Sequence, residues 1–143
     1  MKMINKILIA IDGSQSANNA VEYAIQLAKE VNAEIEIIYV VRYAIGNIDA
    51  GVLPIEIEAH EKENAIKLIN NIKKEYPEIN IQDFETIGYP TEEINKLTQK
   101  WEADLLVLGH HTHHFLDYLL LGSVENKLLK HLKIPLLIIP EKC

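Results

Sequence analysis

The chain has one cysteine, Cys143, and it is the final residue. A single thiol excludes an intrachain disulfide and every multi-cysteine zinc motif, and it fits a reducing compartment. Positive charge is also scarce: 14 lysines and arginines stand against 21 aspartates and glutamates, for a formal net charge of −7. An acidic chain with no lysine/arginine block is poorly matched to a phosphate backbone, which argues against nucleic acid as a partner. Long apolar runs are missing too. The longest near the N-terminus, Ile7-Leu8-Ile9-Ala10-Ile11, stops at Asp12 and is too short for a signal-peptide core or a membrane span. What remains is ordinary for a globular protein: 143 residues, 48% hydrophobic and 24% charged. The expectation is a soluble cytoplasmic chain folded as one domain over residues 1–143.

Short apolar runs alternate with segments of helical period. Residues 6–11 (KILIAI) read as a strand covered on both faces. Residues 14–32 place Ala17, Ala20, Val21, Ala24, Leu27, Ala28 and Val31 on one helical stripe, with Ser14 or Ser16 available as its cap. Residues 34–41 (EIEIIYVV) read as a second strand, and 42–54, with Gly46, Gly51 and Pro54, as a loop. A long helix is expected over 55–75, with Ala65, Leu68, Ile69 and Ile72 inward and Pro77 behind it. Residues 79–87 form the most polar strand candidate, hence an edge; Ile94, Leu97 and Trp101 mark a short helix; 104–108 (DLLVL) is a buried strand. A helix from Ser123, with Val124, Leu128 and Leu132 inward, leads to a last strand at 135–140 (PLLIIP). Strands separated by helices join by right-handed crossovers, which gives an α/β fold: an open five-stranded parallel sheet with helices on both faces. Such sheets bind ligands beyond the strands' carboxyl ends, where the strand order reverses.

One stretch carries chemistry. Gly109-His110-His111-Thr112 leaves a buried strand, and after an excursion the chain re-enters a helix at Gly122-Ser123-Val124. Glycines permit a turn and close approach of a ligand. Ser123 adds a hydroxyl, and a helix N-terminus offers unpaired N–H groups, so the pattern reads as an anion cradle.

With these residues, and with Asp12 in IAIDGS, Gly88-x-Pro90, DLLVLG and the closing PLLIIP, the chain resembles the universal stress protein family along essentially its whole length. In nucleotide-binding members the loop reads glycine, two residues, glycine, nine residues, glycine, then serine or threonine. Here Gly109, Gly122 and Ser123 fit that spacing, and Thr112 stands where the second glycine belongs. The resemblance implies a Rossmann-like sheet of order 3-2-1-4-5 and an adenine-nucleotide ligand, ATP or else ADP or AMP, with Mg²⁺ as a candidate companion. It implies that Ala10, Asp12 and Val40 flank adenine and ribose, and that Gly109, Thr112, Gly122, Ser123 and Val124 hold the phosphates. It also implies a homodimer through the 135–140 strand, which as an apolar sheet edge invites pairing with a second copy. The function implied is a regulatory module of the stress response; the alternatives are a dimeric interaction module without nucleotide and a slow ATPase.

The same residues also fit purely structural roles. Asp12-Gly13-Ser14 fits an Asx turn and Gly122-Ser123 an ordinary helix start. Gly88-x-Pro90 reads as turn chemistry. The imidazoles His110, His111, His113 and His114 offer metal ligands or a titrating group, but neighbouring residues point apart, so a solvated loop is the simpler reading and no metal site is assigned. A P-loop and a dinucleotide fingerprint are both absent. A receiver domain would need clustered acids after the first strand, where Asp12 stands alone. No nucleophile set is evident, so no catalytic residue is assigned.

Overall fold

The computed structural model describes residues 3–43, 53–110 and 127–140. Within these, the elements run β1 (Lys6–Ile11), α1 (Gln15–Val31), β2 (Glu34–Val41), α2 (Pro54–Glu75), β3 (Ile81–Ile87), α3 (Pro90–Lys100), β4 (Leu105–His110) and β5 (Leu136–Pro140), with residues 127–131 also helical. The strands form one sheet of order β3-β2-β1-β4-β5, and every neighbouring pair is parallel. This is the expected α/β architecture in the expected order.

Strands β1, β2 and β4 alternate between two apolar cores because successive side chains point to opposite faces. Ile7, Ile9, Ile35, Ile37, Leu105 and Val107 join α1 and α2 on one face. Leu8, Ile38, Leu106 and Leu108 join Ile94 of α3 and Leu128 of the 127–131 turn on the other. The central strands are therefore apolar in nearly every position, as a sheet covered on both sides requires.

The helix ends follow local chemistry. Ser14 caps α1, its Oγ accepting the Ala17 N–H at 3.2 Å. Asn32 ends the helix in the left-handed region at φ 58°, its N–H donating to the Ala28 carbonyl. Proline occupies the start of α2 and of α3, where its missing N–H leaves no hydrogen bond unmade.

Three details differ from the sequence expectation. In α1 the inward stripe includes Ser16 and Ile25, while Leu27 is only half-buried and Val31, in the last turn, is 37% exposed. Strand β4 starts at Leu105 and runs through Gly109 to His110. Asp104 instead caps the sheet's amino edge, its Oδ2 accepting the N–H groups of Asn5 (2.8 Å) and Lys6 (3.0 Å). Pro135 lies before β5, and its carbonyl accepts the Leu106 N–H at 3.1 Å.

Candidate functional site

The strand order reverses between β1 and β4, the point at whose carboxyl ends open α/β sheets place their ligand crevice. Register fixes what meets there. Ala10 lies opposite Ile38 on one side and Leu108 on the other, so Ala10 and Leu108 share a sheet face with Val40, two residues past Ile38. Ala10 and Val40 are half-buried, and Leu108 is buried. Together they make an apolar floor at the carboxyl edge, continuous with the core beneath α3.

Asp12 stands at the end of β1 on the rim of that floor. It is exposed, and its Oδ1 accepts the Ser14 N–H at 3.1 Å, so the Asx turn is formed. Gly13 makes the turn possible: its φ is +84°, a conformation that side chains disfavour. The Tyr39 hydroxyl donates to the Asp12 carbonyl at 3.2 Å and pins the turn to β2. Burial, with Asp12 and Glu61 nearby, raises the Tyr39 hydroxyl above its ordinary value, so it remains a neutral donor. Ser14 and Ser16 hydroxyls lie 3.1 Å apart behind the turn. The result is a carboxylate fixed at the rim of an apolar platform, beside the N-terminus of α1. An aromatic ring can lie on such a platform while a hydroxyl donates to such a carboxylate.

Gly109 belongs to this edge for a reason other than the one expected. It is a strand residue, and a Cβ built on it would lie 2.4 Å from the Ser16 carbonyl oxygen and 2.8 Å from the Ala17 nitrogen. Its hydrogen faces α1. The glycine is thus required by close packing of the α1 N-terminus on β4, which holds the first turn of α1 at the crevice.

Comparison with known proteins places this geometry. The profile of the family described as the universal stress protein family matches residues 3–140. The chain belongs to that family. It is 33% identical to the universal stress protein YxiE of Bacillus subtilis, over 96% of this chain and 99% of the relative. It is similar to the solved structure of MJ0577, a protein of Methanocaldococcus jannaschii, with a TM-score of 0.81 and 27% identity over 97% of each chain. A universal stress protein solved in complex with cAMP shares the fold, with a TM-score of 0.71 and 23% identity over 99% of this chain and 100% of that one.

In this universal stress protein the fold brings Ala10, Asp12, Val40 and Gly109 to one edge of the sheet. Thr112, Gly122, Ser123 and Val124 lie outside the described residues, as do His111, His113, His114 and Cys143. His110 ends β4, half-buried and in register with Pro140. Among the described residues no group of three or more histidines, cysteines and carboxylates could hold a metal ion, and no helix is long and apolar enough to cross a membrane.

Sequence reasoning passed over three features of this edge. Leu108 completes the floor, and the alternation of β4 could have found it. Tyr39 locks the Asp12 turn, a tertiary contact with no local signal. Tyr43 and Tyr89, both exposed, pack edge to face with ring centroids 5.1 Å apart just past the ends of β2 and β3.

Proposed function

We propose that this universal stress protein binds an adenine nucleotide, ATP first and ADP or AMP as alternatives, as a regulatory ligand in the crevice between the carboxyl ends of β1 and β4. The observation that carries the reading is the half-open apolar floor of Ala10, Val40 and Leu108 beside the fixed Asp12 carboxylate. The base lies on the floor, and Asp12 accepts a hydrogen bond from the ribose. That a family member has been solved with cAMP supports the ligand class.

The phosphate end is assigned to the Gly109 backbone and, from the loop spacing, to Thr112, Gly122, Ser123 and Val124. With no lysine or arginine in that segment, neutralisation falls to backbone dipoles and Mg²⁺; Arg42, exposed and directly after β2, adds a cation at the same edge. The same reading has the protein work in the cytoplasm, in the response to stress, as a homodimer joined through residues 135–140.

The test begins with mass analysis of small molecules released from freshly purified, denatured protein, where an adenine nucleotide is expected. Titration with Mg-ATP should then saturate, and Ala10→Leu, which fills the floor, should weaken binding about tenfold or more while the protein stays folded. Absence of saturable binding into the millimolar range would overturn the reading. Phosphate release separates binding from catalysis: a regulatory ligand is held with negligible turnover, whereas release that saturates with ATP makes the protein a slow ATPase.

A further inference from the structure

A second cavity, of about 400 Å³, lies at a distance from the crevice, between α3 and the face of β2 and β3. Its lining includes Glu36, Phe84, Leu97, Lys100 and Trp101. Glu36 is 9% exposed, and its Oε2 is shut off from water with no hydrogen-bond donor. Of the cations nearby, Lys100 lines the cavity and acts on the Glu36 charge through space without donating to Oε2, and the others are committed elsewhere. Lys6 donates to the Trp101 carbonyl at 3.1 Å and sits 5.6 Å from the centre of the Trp101 ring. Lys96 lies 3.5 Å from Glu93, and Asp83 is paired with Lys73 of α2. Among the described residues, none donates to the buried Oε2.

A buried carboxylate without a donor is costly, and a cationic N–H donor is the partner it lacks. Phe84, 40% exposed, and Trp101 and Leu97 give the same cavity apolar walls. We propose that this cavity is a ligand site for a small primary amine with an aromatic or apolar body, its ammonium seated on Glu36 and its body against Trp101, Phe84 and Leu97. Burial, followed by the neighbouring Asp83 charge, raises the Glu36 carboxyl above its ordinary value against the opposing pull of Lys100 and Lys6, so a bound cation also stabilises the ionised form.

Trp101 is the only tryptophan, so its fluorescence reports on this cavity alone. Phenethylamine serves as the probe and 3-phenylpropionate, the acid of matching body, as the control. Phenethylamine should produce a saturable change in the millimolar range or below, as fits so small a ligand. It should bind Glu36→Gln about tenfold more weakly or worse, with circular dichroism confirming that the variant is folded. Phenylpropionate should not saturate, and Mg-ATP should not displace the amine. No saturable change, equal binding to Glu36→Gln, or displacement by nucleotide would each overturn the proposal, the last by placing the amine in the crevice.

Discussion

Gly109 and Glu85 show how single residues set the stability of the sheet. A methyl group at Gly109 meets backbone rather than a flexible side chain, with the Ser16 carbonyl 2.4 Å away, so relief requires α1 to move off β4. Gly109→Ala is expected to cost about 3 kcal/mol, at the upper end of overpacking changes, and to lower Tm by roughly 10 °C in a thermal melt. Glu85 acts through its proton. Burial first, and then the Asp83 carboxyl beside it, push the Glu85 carboxyl up to about 7 from an ordinary 4.5. Asp83, paired with Lys73, is held below its ordinary 3.8. Between pH 4.5 and 7 the folded chain therefore keeps a proton on Glu85 that the unfolded chain releases, so this group makes stability fall as pH rises through that window. The Asp83 contribution has the opposite sign and lies below pH 3.8. Glu85→Gln supplies a neutral donor to Asp83 at every pH. Denaturant titrations should find the variant about 1 kcal/mol more stable than the parent at pH 8, with the gap closed by pH 4.5.

At the scale of elements, α1 has the clearest dependence on local chemistry. Its N-terminus is set by the Ser14 cap, by the Asp12 Asx turn one step earlier and by the contact of Ser16 with Gly109. Removing the cap in Ser14→Ala leaves the Ala17 N–H without its side-chain acceptor and should cost about 1 kcal/mol, read as a fall of about 3 °C in Tm. Ser14→Gly should cost only a few tenths of that energy, because glycine leaves the first turn open to water. These elements were legible in the sequence because their causes are local. Apolar runs marked four of the strands, the turn at Gly88 and Pro90 closed the more polar fifth, and the period of Ala17, Ala20, Val21, Ala24 and Ala28 marked α1. The residues that misled were at element ends. Val31 has the right spacing but sits in the last turn of its helix, and Gly109 has the composition of a turn but the position of a strand. Neither fact is local, since each depends on what packs against the residue.

For the whole molecule, Ala10, Asp12 and Val40, singled out in the sequence, lie at one edge of the sheet, but the contacts that hold that edge were not legible. Ala10, Asp12 and Val40 converge because strand order and register are set by which segments are apolar on both faces. The Tyr39 clamp on Asp12 and the donorless Glu36 arise between segments far apart in the chain, and no spacing announces them. The same sheet raises the question of its own edges. β3 ends one side with Gln82, Asp83 and Glu85, charged and polar positions that discourage pairing. β5 ends the other with Leu-Leu-Ile-Ile-Pro, and Ile138 is 36% exposed there. An apolar edge of this composition invites pairing, and a second copy of the chain offers the matching strand by two-fold symmetry. The proposed homodimer should sediment at about twice the 16.3 kDa chain mass at micromolar concentration. Ile138→Lys should shift the equilibrium to monomer without unfolding the sheet, because the side chain it replaces is the exposed one and Ile139, at 3% exposure, still anchors β5 to the core. A parent protein that sediments at 16.3 kDa overturns the homodimer, and a variant that remains dimeric moves the pairing surface away from β5.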